Sequence, residues 1–185
     1  NTVRATLIGR MGKASPGRQN ADGTEFSPAE FATQWNKLSP RAKSTLFPSE
    51  QHRAALNDLA LVMDGMKRAG QYSNTSNTGL VGNATAHVAA VGVSPMATAI
   101  AAASEFGLGK LLASPGFARW LARTPVAGVN PGTLKLHITR LGALASREAG
   151  IANDARALQA RLQEAFGQSP PLKAAASEED AKKRK

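Results

Sequence analysis

Apolar positions recur along this chain at three- and four-residue spacing, in short runs that mostly open on the same kind of dipeptide. Ser27-Pro28, Ser39-Pro40, Ser94-Pro95, Ser114-Pro115 and Asn130-Pro131 each set a side-chain oxygen just before a proline. The oxygen accepts from first-turn amides, while the proline needs no amide partner and already holds a helical φ. Each pair therefore predicts a helix start. At the first, Ser27 and Glu30 have capping-box spacing, and Phe26 and Phe31 occupy the positions of a hydrophobic staple. Phe31, Trp35 and Leu38 follow at i, i+4 and i+7, one apolar face that ends before Ser39-Pro40.

A short helix over 40–47 is expected next, stopped by Pro48. Ser49 then caps a longer one to about residue 69, with the stripe Ala55, Leu56, Leu59, Val62, Met63 and Met66 and with Gly70 as terminator. Residues 72–79 are polar and without period, which reads as a flexible linker. Beyond it, helices are expected over 81–93 and 95–105, broken at Ser94-Pro95, then a break near Gly107 and a short turn over 110–113. Phe117, Trp120 and Leu121 mark a helix over 115–123; Leu134, Ile138, Leu141, Leu144 and Ala145 mark one over 131–149. Ile151, Ala155, Leu158, Leu162 and Phe166 mark the last, over 151–166. Only 134–139 weakly resembles a strand, so the predicted class is all-α: several short-to-medium helices with Ser/Asn-Pro starts. The expected organisation is an N-terminal helical segment over 1–70, a linker over 71–79, an Ala/Gly-rich helical segment over 80–167 and a disordered, basic-ended tail over 168–185. Phe31, Trp35, Leu56, Leu59, Met63, Phe117, Trp120, Leu158 and Leu162 are the expected helix-packing or oligomer-contact residues.

Composition narrows the chemistry. Aromatics are 5% of the 185 residues, so the core is expected to be built of small aliphatic side chains on closely packed helices, in one domain or two small ones. The absence of cysteine excludes disulfides, thiolate metal sites and cysteine nucleophiles. His52, His87 and His137 stand far apart with no ligand partner at helical spacing, and read as helix-surface or core-edge residues. Gly107-x-Gly109-Lys110 lacks the spacing and the strand of a phosphate loop and reads as a helix break. Glu25 with Glu30, or Asp58 with Asp64, are the carboxylate pairs one would test for glycan cleavage, but Glu30 is better explained as a cap. No catalytic, cofactor or metal residues are expected.

Between residues 71 and 104 there is no Asp, Glu, Lys or Arg. The stretch 80–103 is long enough to span a bilayer, and Gly82, Ala86, Ala90 and Ser94 recur at the four-residue spacing that lets helices approach closely. Its Ala-rich content and Pro95 favour two helices buried in protein over conditional membrane insertion, and a constitutive span least. Net charge is +10, which favours contact with polyanions. Arg10, Lys13 and Arg18 near the start, and Lys182, Lys183, Arg184 and Lys185 at the end, are the candidate contacts. Asn1 is not Met, so further sequence before it is expected, and no cleavable signal peptide is visible over Thr2–Met11.

The run TLIGRMGKASPG from Thr6 to Gly17, then Phe26-Ser27 and the block FATQWNKLSPRAK from Phe31 to Lys43, resembles large virion proteins of tailed phages and prophages of Gram-negative bacteria. Leu56-Asn57-Asp58-Leu59-Ala60 and the block SPGFARWLA from Ser114 to Ala122 resemble the continuation of that family. The likeness covers most of 1–162, and its motifs carry no catalytic residues. It implies the C-terminal helical segment of an internal or ejection protein, without enzyme activity, that forms a homo-oligomeric conduit for genome delivery. The implied partners are portal, tail or ejection proteins, non-specific DNA and, conditionally, a membrane. The implied location is the virion, then the host envelope after ejection. The alternatives are a head–tail or portal-associated virion component with no membrane role, and a helical scaffold that binds an acidic partner or DNA.

Overall fold

The computed structural model describes residues 2–14, 26–73, 94–125 and 130–167. They form α1 (Thr2–Met11), α2 (Pro28–Lys37), α3 (Pro40–Leu46), α4 (Glu50–Ser73), α5 (Pro95–Glu105), α6 (Leu108–Leu112), α7 (Pro115–Ala122), α8 (Pro131–Arg147) and α9 (Ala152–Gly167). A 3-10 turn over Ala149–Ile151 joins the last two. Among the described residues the only extended pairing is a single bridge between Lys13 and Phe26, so the all-α class holds.

The dipeptide starts work as local chemistry requires. Ser27, Ser39, Ser94 and Ser114 accept from the amides of Glu30, Ala42, Ala97 and Phe117 at 3.0–3.4 Å, and Asn130 accepts from Gly132 at 2.8 Å. Ser49 caps α4 without a proline, accepting from His52 at 3.3 Å. The capping box at α2 is only half formed, because the Ser27 amide donates to the Gly12 carbonyl at 2.6 Å instead of to Glu30. The staple forms, with the Phe26 and Phe31 ring centroids 6.0 Å apart.

Two details depart from expectation and two follow it. The helix α1 was not anticipated, because Arg4, Gly9, Arg10 and Gly12 obscure the inward positions Ile8 and Met11. Gly70 does not stop α4, which runs on to Ser73. Residues 134–139 are helical, since Leu134, Ile138 and Leu141 share one buried face of α8. The break before α6 falls at Gly107, whose φ of 78° lies in the left-handed region that only glycine enters cheaply. The expected helix over 81–93, most of the linker and the tail over 168–185 lie outside the described residues.

One continuous core joins the helices up to Ser73 with those from Pro95 onward: α2 and α7 pack on α4, α1 on α6, α8 on α9, and α5 between α6, α7 and α9. The scarce aromatics form two ladders within it. Phe26, Phe31, Trp35, Phe47 and His52 succeed one another at ring spacings of 6.0, 6.0, 5.2 and 5.5 Å. Phe117, Trp120 and His137 follow at 5.5 and 5.0 Å. Such offset and edge contacts add to simple area burial.

Phe31, Trp35, Leu56, Leu59, Met63, Phe117, Trp120, Leu158 and Leu162 are all buried in this shared core. They pack helix against helix within one chain, whose own helices cover them. Among the described residues the large apolar side chains left in solvent are Val3, Leu61 and Leu136, on three different helices.

Candidate polyanion-contact site

Charge is sorted by helix. Among the described residues, the carboxylates sit on α2, α4, the last position of α5, α9 and the single residue Glu148 after α8. The helices α1, α3, α6, α7 and α8 carry cations and no carboxylate. On α8, Leu136, Arg140, Ala143 and Arg147 follow at i, i+4, i+7 and i+11 and are all exposed, so they share one outward stripe. Lys135 lies on the neighbouring exposed flank. On α1, Val3, Thr6 and Arg10 repeat that order, an apolar residue followed by an arginine, with Lys13 just beyond the helix end. Arg10, Lys13, Lys135, Arg140 and Arg147 form no ion pair among the described residues, so their charge faces solvent.

Several other cations are engaged. Arg68 pairs with Asp64 at 2.6 Å and Lys110 with Asp154 at 2.7 Å, while Arg161 lies between Glu105 and Glu164. Arg53 donates to the carbonyls of Phe47 and Pro48, closing the turn before α4. Lys43 stands 4.7 Å over the Trp35 ring and shares the Asn57 Oδ1 acceptor with the Trp35 indole N–H. Partial burial lowers the Lys43 pKa from its ordinary value. These contacts hold helices together and leave less of that charge for a partner.

Arg10 and Lys13 are thus exposed as a contact requires, whereas Arg18, Lys182, Lys183, Arg184 and Lys185 lie outside the described residues. Sequence reading missed Lys135, Arg140 and Arg147, although the absence of any Asp or Glu between 131 and 147 was a visible signal. Of the expected membrane or subunit-buried stretch, Gly82, Ala86 and Ala90 lie outside the described residues. Ser94 caps α5, and Pro95 is buried in the first turn. Among the described residues no helix is long and apolar enough to cross a membrane.

The interior polar groups serve packing. Ser114, buried, accepts from the Phe117 amide and donates to Glu148 Oε2. His52 is fully buried, not at a surface or core edge, and its Nε2 lies 2.9 Å from the Leu112 carbonyl. Ser114 therefore bonds the carboxylate directly while the imidazole faces backbone, which is not the serine–imidazole–acid order of a nucleophilic relay. His137, also buried, stacks on Trp120 and bonds Thr124 Oγ1 at 3.0 Å, while the Trp120 indole donates to the His137 carbonyl at 2.9 Å. His87 and Glu25 lie outside the described residues. Glu30 is at its helix start, Asp64 is held by Arg68, and Asp58 is exposed. Among the described residues no three His, Asp or Glu side chains group as metal ligands would.

Compared with protein families, with curated proteins and with solved structures, the chain matches none.

Proposed function

We propose that this chain is a non-catalytic structural segment of a phage internal or ejection protein, one that assembles with copies of itself and lets DNA pass along cationic helices. The observation that carries the reading is the separation of charge: solvent-facing helices with arginine and lysine but no carboxylate, above all α8. A phosphate backbone meets no repelling side chain along such a helix, and the attraction needs no particular base sequence. The likeness to tailed-phage virion proteins supplies the setting, including the virion, the portal and tail neighbours, and the host envelope. Because the strong apolar stripes are spent inside the fold, assembly is assigned to Val3, Leu61 and Leu136 together with segments beyond the described residues.

A head–tail or portal-associated component without a membrane role is the second reading. It is favoured by the cap at Ser94, which opens a new helix at Pro95 and so divides the uncharged stretch 80–103. Native mass measurement with and without duplex DNA, paired with flotation on anionic vesicles, tests both. A discrete multimer that also floats supports the conduit, and a multimer that does not float supports the second reading. A species that stays monomeric with DNA present contradicts assembly altogether and leaves the third reading, a helical scaffold for an acidic partner.

A further inference from the structure

Both aromatic ladders end on a histidine, one bonded just before α7 and the other just past its end. His52, on α4, bonds the Leu112 carbonyl at the end of α6, two residues before the α7 cap Ser114. His137, on α8, packs flat on Trp120 and bonds Thr124 just past the end of α7. A carbonyl oxygen only accepts, so His52 Nε2 carries the hydrogen and Nδ1 is a bare acceptor. That Nδ1 is the one buried side-chain N or O atom among the described residues without a hydrogen-bond partner. Thr124 Oγ1 lies 3.3 Å from the Trp120 carbonyl and donates to it, so His137 Nε2–H is the donor to Thr124. His52, whose Nδ1 has no partner among the described residues, is built to hold a neutral imidazole, and at His137 burial disfavours the charged form.

We infer that the two histidines make the seating of α7 acid-labile: taking up a proton at either ring loosens α7 from α4 and α8.

A proton on His52 Nδ1 creates a second N–H in a buried site with no acceptor among the described residues, against the Phe47 ring. The charged groups acting on that ring are Arg4 from α1, Arg119 from α7 and Glu148 from beyond α8. Two are cations, and the carboxylate is already bonded to Ser114. Arg140 acts on His137 from its own helix, and no carboxylate offsets it. Burial is the main cause that lowers both pKa values, with the arginines adding to it and backbone hydrogen bonds opposing it. Since the folded pKa lies below the unfolded value of about 6.5, the unfolded chain binds the proton first. The stability is then complete above that pH and is lost as pH falls below it. The open population should rise by up to about tenfold per pH unit for each histidine within that window.

The test is hydrogen exchange of the intact chain at pH 7.5 and pH 5.0, corrected for intrinsic rates, with His52→Gln and His137→Gln singly and together. The expected result is a loss of protection in α7 at the lower pH that shrinks in each single variant and vanishes in the double. Unchanged α7 protection in the parent, or an identical pH response in the double variant, would overturn the inference. Should the variants not fold, ring titration of the parent by NMR decides. Both imidazoles should stay neutral until α7 protection falls, and an ordinary titration with α7 still protected would sink the idea.

Discussion

The Glu148 carboxylate lies against Gly116, in the space where the Cβ of any other residue would have to stand, with Leu144 Cδ1 closing the same space. Glu148 is thereby docked on the first turn of α7, where its charge meets the positive end of the helix dipole and its Oε2 accepts from the cap Ser114. Gly116→Ala should swing this carboxylate aside, break its bond to Ser114 and cost about 0.5–1.5 kcal/mol. Glu148→Gln should keep the packing, remove the charge, and cost about 0.3–1 kcal/mol. Urea denaturation of the two variants gives the comparison.

A second close approach sets α1 on α6. A Cβ on Gly109 would stand 3.0 Å from the Gly9 α-carbon and 3.1 Å from its nitrogen, and backbone does not yield as a side chain does. Gly109→Ala should therefore lift α1 and cost about 1–3 kcal/mol. A Cβ on Gly9 would meet nothing within 4 Å. Gly9→Ala should be neutral or stabilise α1 by about 0.5–1 kcal/mol through backbone entropy. Equal destabilisation by both would show that the helices do not cross where described.

Burial separates core from surface along α4 and α9. Leu158→Ala and Leu59→Ala should each lower stability by about 2–5 kcal/mol, and the loss should not depend on protein concentration, because the residues pack within one chain. Leu61, 73% exposed, should tolerate alanine within about 0.5 kcal/mol. A concentration-dependent loss at Leu158 would return that stripe to an interface between copies.

The helix starts were legible because a cap is local chemistry: the hydroxyl of Ser94 or Ser114 meets an amide three residues on, whatever the rest of the fold does. The stripe of α9 was legible for a similar reason, since Leu158 and Leu162 lie one turn apart. What was not legible depends on distant partners. His52 is buried because Leu112, sixty positions away, offers it a carbonyl. Gly109 looked like a helix break because nothing nearby in sequence reveals Gly9 beneath it. The stripes were left open between helix packing and contacts between copies because periodicity shows that a face is apolar but not what covers it. The α8 surface was overlooked for a different reason: dense runs such as Lys182 to Lys185 draw attention, whereas a spaced series without carboxylates becomes a surface only on a helix.

Replacing Lys135, Arg140 and Arg147 together by alanine should lower the slope of log affinity for duplex DNA against log salt by up to about 3, roughly one unit for each phosphate that is no longer neutralised. Folding should be unaffected, because all three are exposed and unpaired among the described residues. Arg156→Ala, on the mixed-charge surface of α9, is the matched control and should leave the slope close to that of the parent.

Equilibrium binding of the purified chain to two short duplexes of unrelated sequence, followed by fluorescence anisotropy across a salt series, bears most directly on the assigned role of the cationic helices. Measurable binding at low ionic strength, a linear fall with log salt and the same affinity for both duplexes are expected. No binding at low salt, or a salt-insensitive preference for one sequence, would contradict that role.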